Sequence, residues 1–239
     1  MPATEYKIWA FGDPVCEGAM QSVHVAIASV AKCATNDSPL IVANELICNH
    51  LARAILLPCP PGFVIRKEGK PYFVSLDFNL AGQSLPPVNA AKIIEKHEDI
   101  AWGIILFDTW IVNPDRHKKN ISFDTTSGKL QIFDHSHAFM GVGSDPKQQI
   151  EANKDRLGIG GHCLAQEVTS VDFAKKWAEK IQVVPEFYIR EVVASAKEVG
   201  LPNEAEDFCV DNLFDRRKKL LTLIKDNERA FPKLRISLA

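Results

Sequence analysis

The sequence predicts an α+β fold in two lobes, a small β-containing lobe over residues 1–78 and a mostly helical lobe over residues 79–239. Three observations carry this. Strand character gathers early: Val23, Val25 and Ile27 alternate with other residues, and Phe63–Ile65 and Tyr72–Leu76 flank the turn-forming Arg66-Lys-Glu-Gly-Lys70. Helical spacing dominates the later chain. Between the two, Asn79–Asn89 contains Gly82, Pro86 and Pro87 and reads as a connector, which places the hinge there.

Taken in order, residues 1–35 hold short apolar runs broken by Gly12, Pro14 and Gly18, followed by a valine- and alanine-rich stretch, Ser22–Lys32, whose alternation favours a strand while its alanines also suit a helix. Asn36-Asp-Ser-Pro39 is a turn suited to capping a helix from about residue 40 to 56, where Ile41, Leu46, Ile47, Leu51 and Ile55 fall near helical spacing. Pro58, Pro60 and Pro61 stop that helix. Ile100–Val112 is apolar on nearly every face and predicts a buried central helix. It ends at Asn113-Pro114, since a residue preceding proline is pushed out of the helical region. Asp108 lies inside this apolar run and needs partners, because a bare buried carboxylate is costly; the backbone of the following loop is the expected one. Helices near 172–180, 186–198, 204–208 and 212–229 complete the second lobe.

The most informative stretch is Asn113-Pro-Asp-Arg-His-Lys-Lys-Asn120, followed by Phe133-Asp-His-Ser-His137. Phosphoryl transfer needs a carboxylate near the attacking hydroxyl, and a magnesium ion held by oxygen ligands; Asp115 suits the first role, Asn120 and Asp134 the second. Ile121–Phe123 and Leu130–Phe133 have strand character around the turn cluster Asp124-Thr-Thr-Ser-Gly128. A hairpin centred near Ser127 puts Asn120 opposite Asp134, with Cβ atoms roughly 5 Å apart. The plainer reading makes Asp115 and Asn120 turn residues beside Pro114.

Asp115-Arg-His-Lys-Lys-Asn120 with Asp134 downstream resembles the catalytic loop and metal-binding aspartate of HipA-like kinases, and the Asp-Arg-His order is shared with phosphatidylinositol kinases. The fuller strings from Phe107 to Asn120 and from Ile132 to Phe139 are similar to the shorter HipA-like kinase domains. The resemblance implies a two-lobed protein-kinase-like fold that uses ATP and Mg2+. Asp115 takes the place of the base, His117 and Arg116 of groups that offset developing charge, and Asn120 and Asp134 of the metal ligands. Asn44–Arg53 resembles the family's helix segment, so Glu45 is expected to pair with Lys32, which would hold the phosphates. Glu17-Gly-Ala-Met-Gln-Ser22 stands where the family keeps a glycine-rich loop, placing Gln21 and Ser22 at the nucleotide with the strand-end Leu76. This loop has one glycine where the family has more, and the stretch from it to Lys32 looks too short for a two-stranded hairpin. The resemblance further implies a serine or threonine of a protein as acceptor, a lipid or small-molecule hydroxyl being the alternative, and a cognate regulatory protein. The additional amino-terminal subdomain of full-length HipA toxins is expected to be missing.

A net charge of −2 supplies no general drive toward nucleic acid or an anionic membrane. No apolar run reaches membrane-spanning length, and the first residues lack a signal-peptide core, so a cytoplasmic protein is expected. The six cysteines form no C-x-x-C pair and read as reduced packing residues. Two other function classes compete. Asp134-His-Ser-His137 with His117 or His162 is a zinc-hydrolase possibility that lacks supporting spacing. A kinase-like fold without turnover, acting as a binding module, is favoured by the single-glycine loop and opposed by Asp115, Asn120 and Asp134. Gly158-Ile-Gly-Gly-His162 has no lysine or strand–helix context and reads as a flexible turn rather than a phosphate loop.

Overall fold

The alternation near the start of the chain does form strands in the computed structural model, which describes residues 5–15, 22–79 and 86–234. β1 (Ile8–Pro14) and β2 (Val23–Ile27) pair antiparallel and are exposed throughout. The segment joining them contains Glu17–Gln21, so the first strand of the hairpin precedes that segment. This is why the stretch from it to Lys32 looked too short for a hairpin of its own. Gln21 lies outside the described residues. Ala28 carries the chain into β3 (Ser29–Cys33): its N–H donates to Lys7 O at 2.7 Å, and Asp77 N–H donates to Ala28 O at 2.9 Å.

α1 (Ile41–Ala54) follows, then β4 (Gly62–Lys67) and β5 (Lys70–Leu76), the expected helix and hairpin. The three-stranded sheet has the order β3–β5–β4, all antiparallel, with Lys32 opposite Phe73. No side chain caps α1; the Asn36–Pro39 turn closes on itself between Thr35 and Ser38 instead. α1 is buried on most faces because it packs against the sheet on one side and the helical part on the other.

α2 (Ala90–Trp110) is kinked at His97; the expected central helix is the part after the kink, and the part before it starts at Asn89, whose Oδ1 accepts the N–H groups of Ala91 and Lys92. Every residue from Ala101 to Trp110 is buried. A Cβ on Gly103 would stand 2.7 Å from the Trp177 ring, so the missing side chain lets the indole lie against the helix. β6 (Ile121–Phe123) and β7 (Leu130–Ile132) form a short hairpin, and Ile132 N–H donates to Pro58 O at 2.8 Å.

α3 (Pro146–Asn153), absent from the sequence reading, starts with Asp145 as cap and proline in its first turn. α4 (Ala174–Gln182), α5 (Glu186–Ser195) and α6 (Glu206–Asp226) complete the helical part. The expected break near residues 209–211 is absent. Cys209, Val210, Leu213 and Phe214 are all buried and carry one apolar face across it, without glycine or proline to interrupt. From α6 the buried Arg216 donates to Trp110 O at 3.1 Å and also to Thr109 O, supplying partners to the carbonyls at the end of α2. The layout is thus the expected one, a small sheet-containing part before a mostly helical one. Among the described residues no helix is long and apolar enough to cross a membrane. The described cysteines are free, and burial pushes the thiols of Cys59 and Cys209 up to about 12, which suits inert packing.

Candidate active site

The end of α2 shapes the loop that follows. Asn113 N–H donates to Asp108 O at 2.8 Å, closing the helix, and Asn113 Oδ1 accepts Asp115 N–H at 3.2 Å, an Asx turn that turns the chain outward. Asp115 is left partly exposed, and Asn120 Nδ2 donates to its backbone O at 2.8 Å and to its Oδ2 at 3.2 Å. The exposed His117 and His137 stand on either side, each with a ring nitrogen 3.8 Å from a carboxylate oxygen of Asp115.

Two expectations for this loop need correction. Arg116 does not face a ligand. It is 1% exposed; its Nε and Nη2 hold Asp108 at 2.8 and 3.1 Å, and its Nη1 donates to Asn120 O at 2.9 Å and Phe133 O at 2.7 Å. Asp108 in turn bonds side chains of the loop, Arg116 and Asn113, rather than its backbone. Burial alone would raise the Asp108 pKa, but the Arg116 charge and a hydrogen bond with His162 hold it well below the usual carboxylate range.

The hairpin register also differs by one residue. Ile121 faces Ile132, so Asn120 comes opposite Phe133, whose N–H donates to Asn120 O at 3.3 Å. The turn is centred between Thr126 and Ser127, not on Ser127. Asp134 then adopts a left-handed conformation, φ +64°, and leaves the ladder. Arg116 Nη1 holds the carbonyls of Asn120 and Phe133, the two residues that face each other at this end of the hairpin.

Across from the loop, Lys32 Nζ lies 2.6 Å from Glu45 Oε1, 2.8 Å from Asp134 Oδ1 and 3.1 Å from Ser136 Oγ. Glu45 Oε1 also accepts His135 N–H at 3.1 Å and Ser136 Oγ–H at 2.8 Å. Burial works against the Lys32 charge, yet Glu45 and Asp134 raise its pKa; the Asp134 pKa is lowered, because Lys32 outweighs burial. Asn44 strengthens the junction by donating to Ser136 O at 3.0 Å and Gly141 O at 2.9 Å, and by accepting Met140 N–H at 3.2 Å. Neither Asn44 nor Ser136 stood out in the sequence. The only signal was their position beside Glu45 and Asp134.

Burial raises the Glu45 pKa, but bonding from His135 and the Lys32 charge bring it down to about 2, against 4.5 ordinarily. A carboxylate depressed on folding stabilises the protein above its unfolded value, and that contribution is lost as pH falls from about 4.5 toward 2. The loss is on the order of 3 kcal/mol. Urea unfolding between pH 6 and 3 is expected to show this extra dependence in wild type and to lack it in Glu45→Gln.

A cavity of about 370 Å³ adjoins the cluster. Lys32, Glu45 and Asp134 line it together with apolar Phe73, Leu76 and Phe78. The Phe78 and Phe133 rings lie 5.4 Å apart. Its size and its mix of apolar wall and few charges match a small-molecule site. Leu76 lines the cavity, whereas Ser22 lies at the loop end of the β1–β2 hairpin, its O accepting Val15 N–H, and does not line it.

Asn120 bonds Asp115 through its amide nitrogen, which leaves Oδ1 as an acceptor, and Asp134 keeps an oxygen not engaged by Lys32. These hard oxygen donors fit magnesium. Among the described residues no group of three or more His, Cys, Asp or Glu is arranged to hold a metal, so the zinc donor set does not form. His135 is buried against Glu45 and His162 against Asp108.

Residues 29–152 match the family model described as HipA-like kinase, just over half of the 239-residue chain. None of the curated proteins matches it in sequence. Among solved structures, the Helicobacter pylori proinflammatory kinase CtkA is similar over 85% of this chain and 90% of its own, with a TM-score of 0.55 and 15% identity; a likeness at this identity concerns the fold. HipA of Shewanella oneidensis, solved with HipB and operator DNA, aligns over 90% of this chain and 64% of its own, at TM-score 0.48 and 16% identity. Because the family model spans more than half of its length, the chain belongs to the HipA-like kinase family.

Proposed function

We propose that the protein is an ATP- and magnesium-dependent phosphotransferase whose acceptor is a protein serine or threonine hydroxyl. The observation that carries this reading is the meeting of Lys32, Glu45 and Asp134 on a partly apolar cavity, with Arg116 tying Phe133, next to Asp134, to Asn120 of the Asp115 loop. Residues 1–78 would grip the nucleotide and residues 79–239 present the base.

In this reading Asp115 accepts the proton of the acceptor hydroxyl as the new O–P bond to the γ-phosphorus forms. The bond from that phosphorus to the bridging oxygen breaks, and ADP leaves. Lys32, held by Glu45, places the phosphates. His117 and His137 flank the carboxylate, where a cationic ring would offset charge. Asn120 and Asp134 would hold magnesium, which when bound neutralises charge on the β- and γ-phosphates. The open surface around Asp115 suits a hydroxyl presented on a protein segment. A cognate regulatory protein is part of the proposal, supported by family membership.

Calorimetry of ATP binding with and without magnesium, on wild type and Asp134→Asn, tests it. Magnesium-dependent binding that Asp134→Asn weakens at least tenfold (about 1.4 kcal/mol) is expected. A folded wild type that binds no ATP under either condition leaves the binding-module reading in its place.

A further inference from the structure

The glycine-rich stretch before His162 delivers a histidine to the buried core of the loop. Gly158 and Gly161 have left-handed backbones, at φ +74° and +71°, and a Cβ on Gly158 would meet Val112 Cγ1 at 2.6 Å. Glycine is thus required for this chain to pass under the end of α2. His162 is 1% exposed. Its Nδ1 accepts backbone N–H groups from Leu164 at 3.2 Å and Ala165 at 3.3 Å, so the ring hydrogen resides on Nε2, 3.0 Å from Asp108 Oδ2.

From there a continuous chain of bonds runs to the site. Asp108 holds the Arg116 guanidinium, and Arg116 Nη1 holds the carbonyls of Asn120 and Phe133. Cys163 N–H adds a second tie, donating to Arg116 O at 3.1 Å. His162 itself does not line the cavity.

We propose that His162 is a positioning residue for phosphoryl transfer: its Nε2–H fixes Asp108, which orients Arg116, which sets the spacing of Asn120 from Asp134. The inference rests on the kinase reading above. Outer-layer partners of this type commonly change metal affinity or activity by about 10–100-fold when removed.

The test compares wild type with His162→Gln, which keeps a donor near Nε2, His162→Phe, which keeps ring volume without one, and His162→Ala. ATP affinity is measured by calorimetry with and without magnesium, and folding by circular dichroism. Phe and Ala are expected to weaken the magnesium-dependent affinity by about 10–100-fold, leave metal-free ATP affinity as in wild type, and be matched by no such loss in Gln. If Ala does not fold, the contrast between Phe and Gln decides. Folded Phe and Gln variants that behave alike overturn the proposal, as does equal loss of metal-free and metal-dependent binding. A wild type with no magnesium-dependent binding overturns the kinase reading and this inference with it; a responsive wild type with an equally responsive Phe variant overturns this inference alone.

Discussion

Asp115→Asn is expected to cut phosphoryl transfer by about 10²–10⁴-fold and to leave ATP affinity in magnesium unchanged. The carboxylate stands outside the cavity lining, so the substitution removes a proton acceptor without touching the wall that would hold the nucleotide. Nor does it dismantle the loop. The Asx turn uses Asp115 N–H, and the shorter of the two Asn120 bonds goes to Asp115 backbone O at 2.8 Å; both survive the change. The measurement is a single-turnover transfer assay beside calorimetric ATP binding. Loss of ATP binding in proportion to transfer would assign Asp115 the role of a turn residue.

Asp108→Asn is expected to be the most destabilising single-atom-scale change in the chain, at about 3–5 kcal/mol. The side chain keeps its shape but leaves the Arg116 guanidinium without a counter-charge at a place where both groups are fully buried. It also disturbs the bonds to Asn113 and His162. For a chain of this size the cost corresponds to a Tm lower by about 10 °C, read by thermal or urea unfolding. A drop of less than a degree would mean that water or a neighbouring group compensates Arg116. Replacing the pair together by apolar residues should recover part of the stability, since a missing ion pair costs less than half of one. It would not restore the two carbonyl bonds made by Arg116 Nη1.

Local periodicity made much of this legible beforehand. α1, β4, β5 and the buried half of α2 follow from alternation, helical spacing and proline stops, because their neighbours in sequence are also their neighbours in the core. The pairing of Lys32 with Glu45 came from a resemblance, and the structure sets those atoms at 2.6 Å. What escaped depended on contacts distant in sequence. Arg116 read as a cleft-facing cation because Asp108, eight positions earlier, was paired with the loop backbone and not with the guanidinium that reaches back to it. The hairpin slipped by one residue because a turn of Asp, Thr, Ser and Gly admits several centres, and its ends are fixed by Pro58 and Arg116 instead. His162 looked like the end of a loose turn because its partner lies 54 positions earlier.

The position of α1 has a consequence for how ligands can be sought. One face of this helix supplies Asn44 and Glu45 to the site, while Ile47 and Leu51 are wholly buried in the core. Anything that favours the assembled site therefore favours the native state as a whole, and occupancy is readable as a rise in melting temperature without knowledge of the acceptor. A ligand at 100 times its Kd adds about 2.7 kcal/mol, well within reach of a thermal-shift screen of nucleotides, metals and peptides.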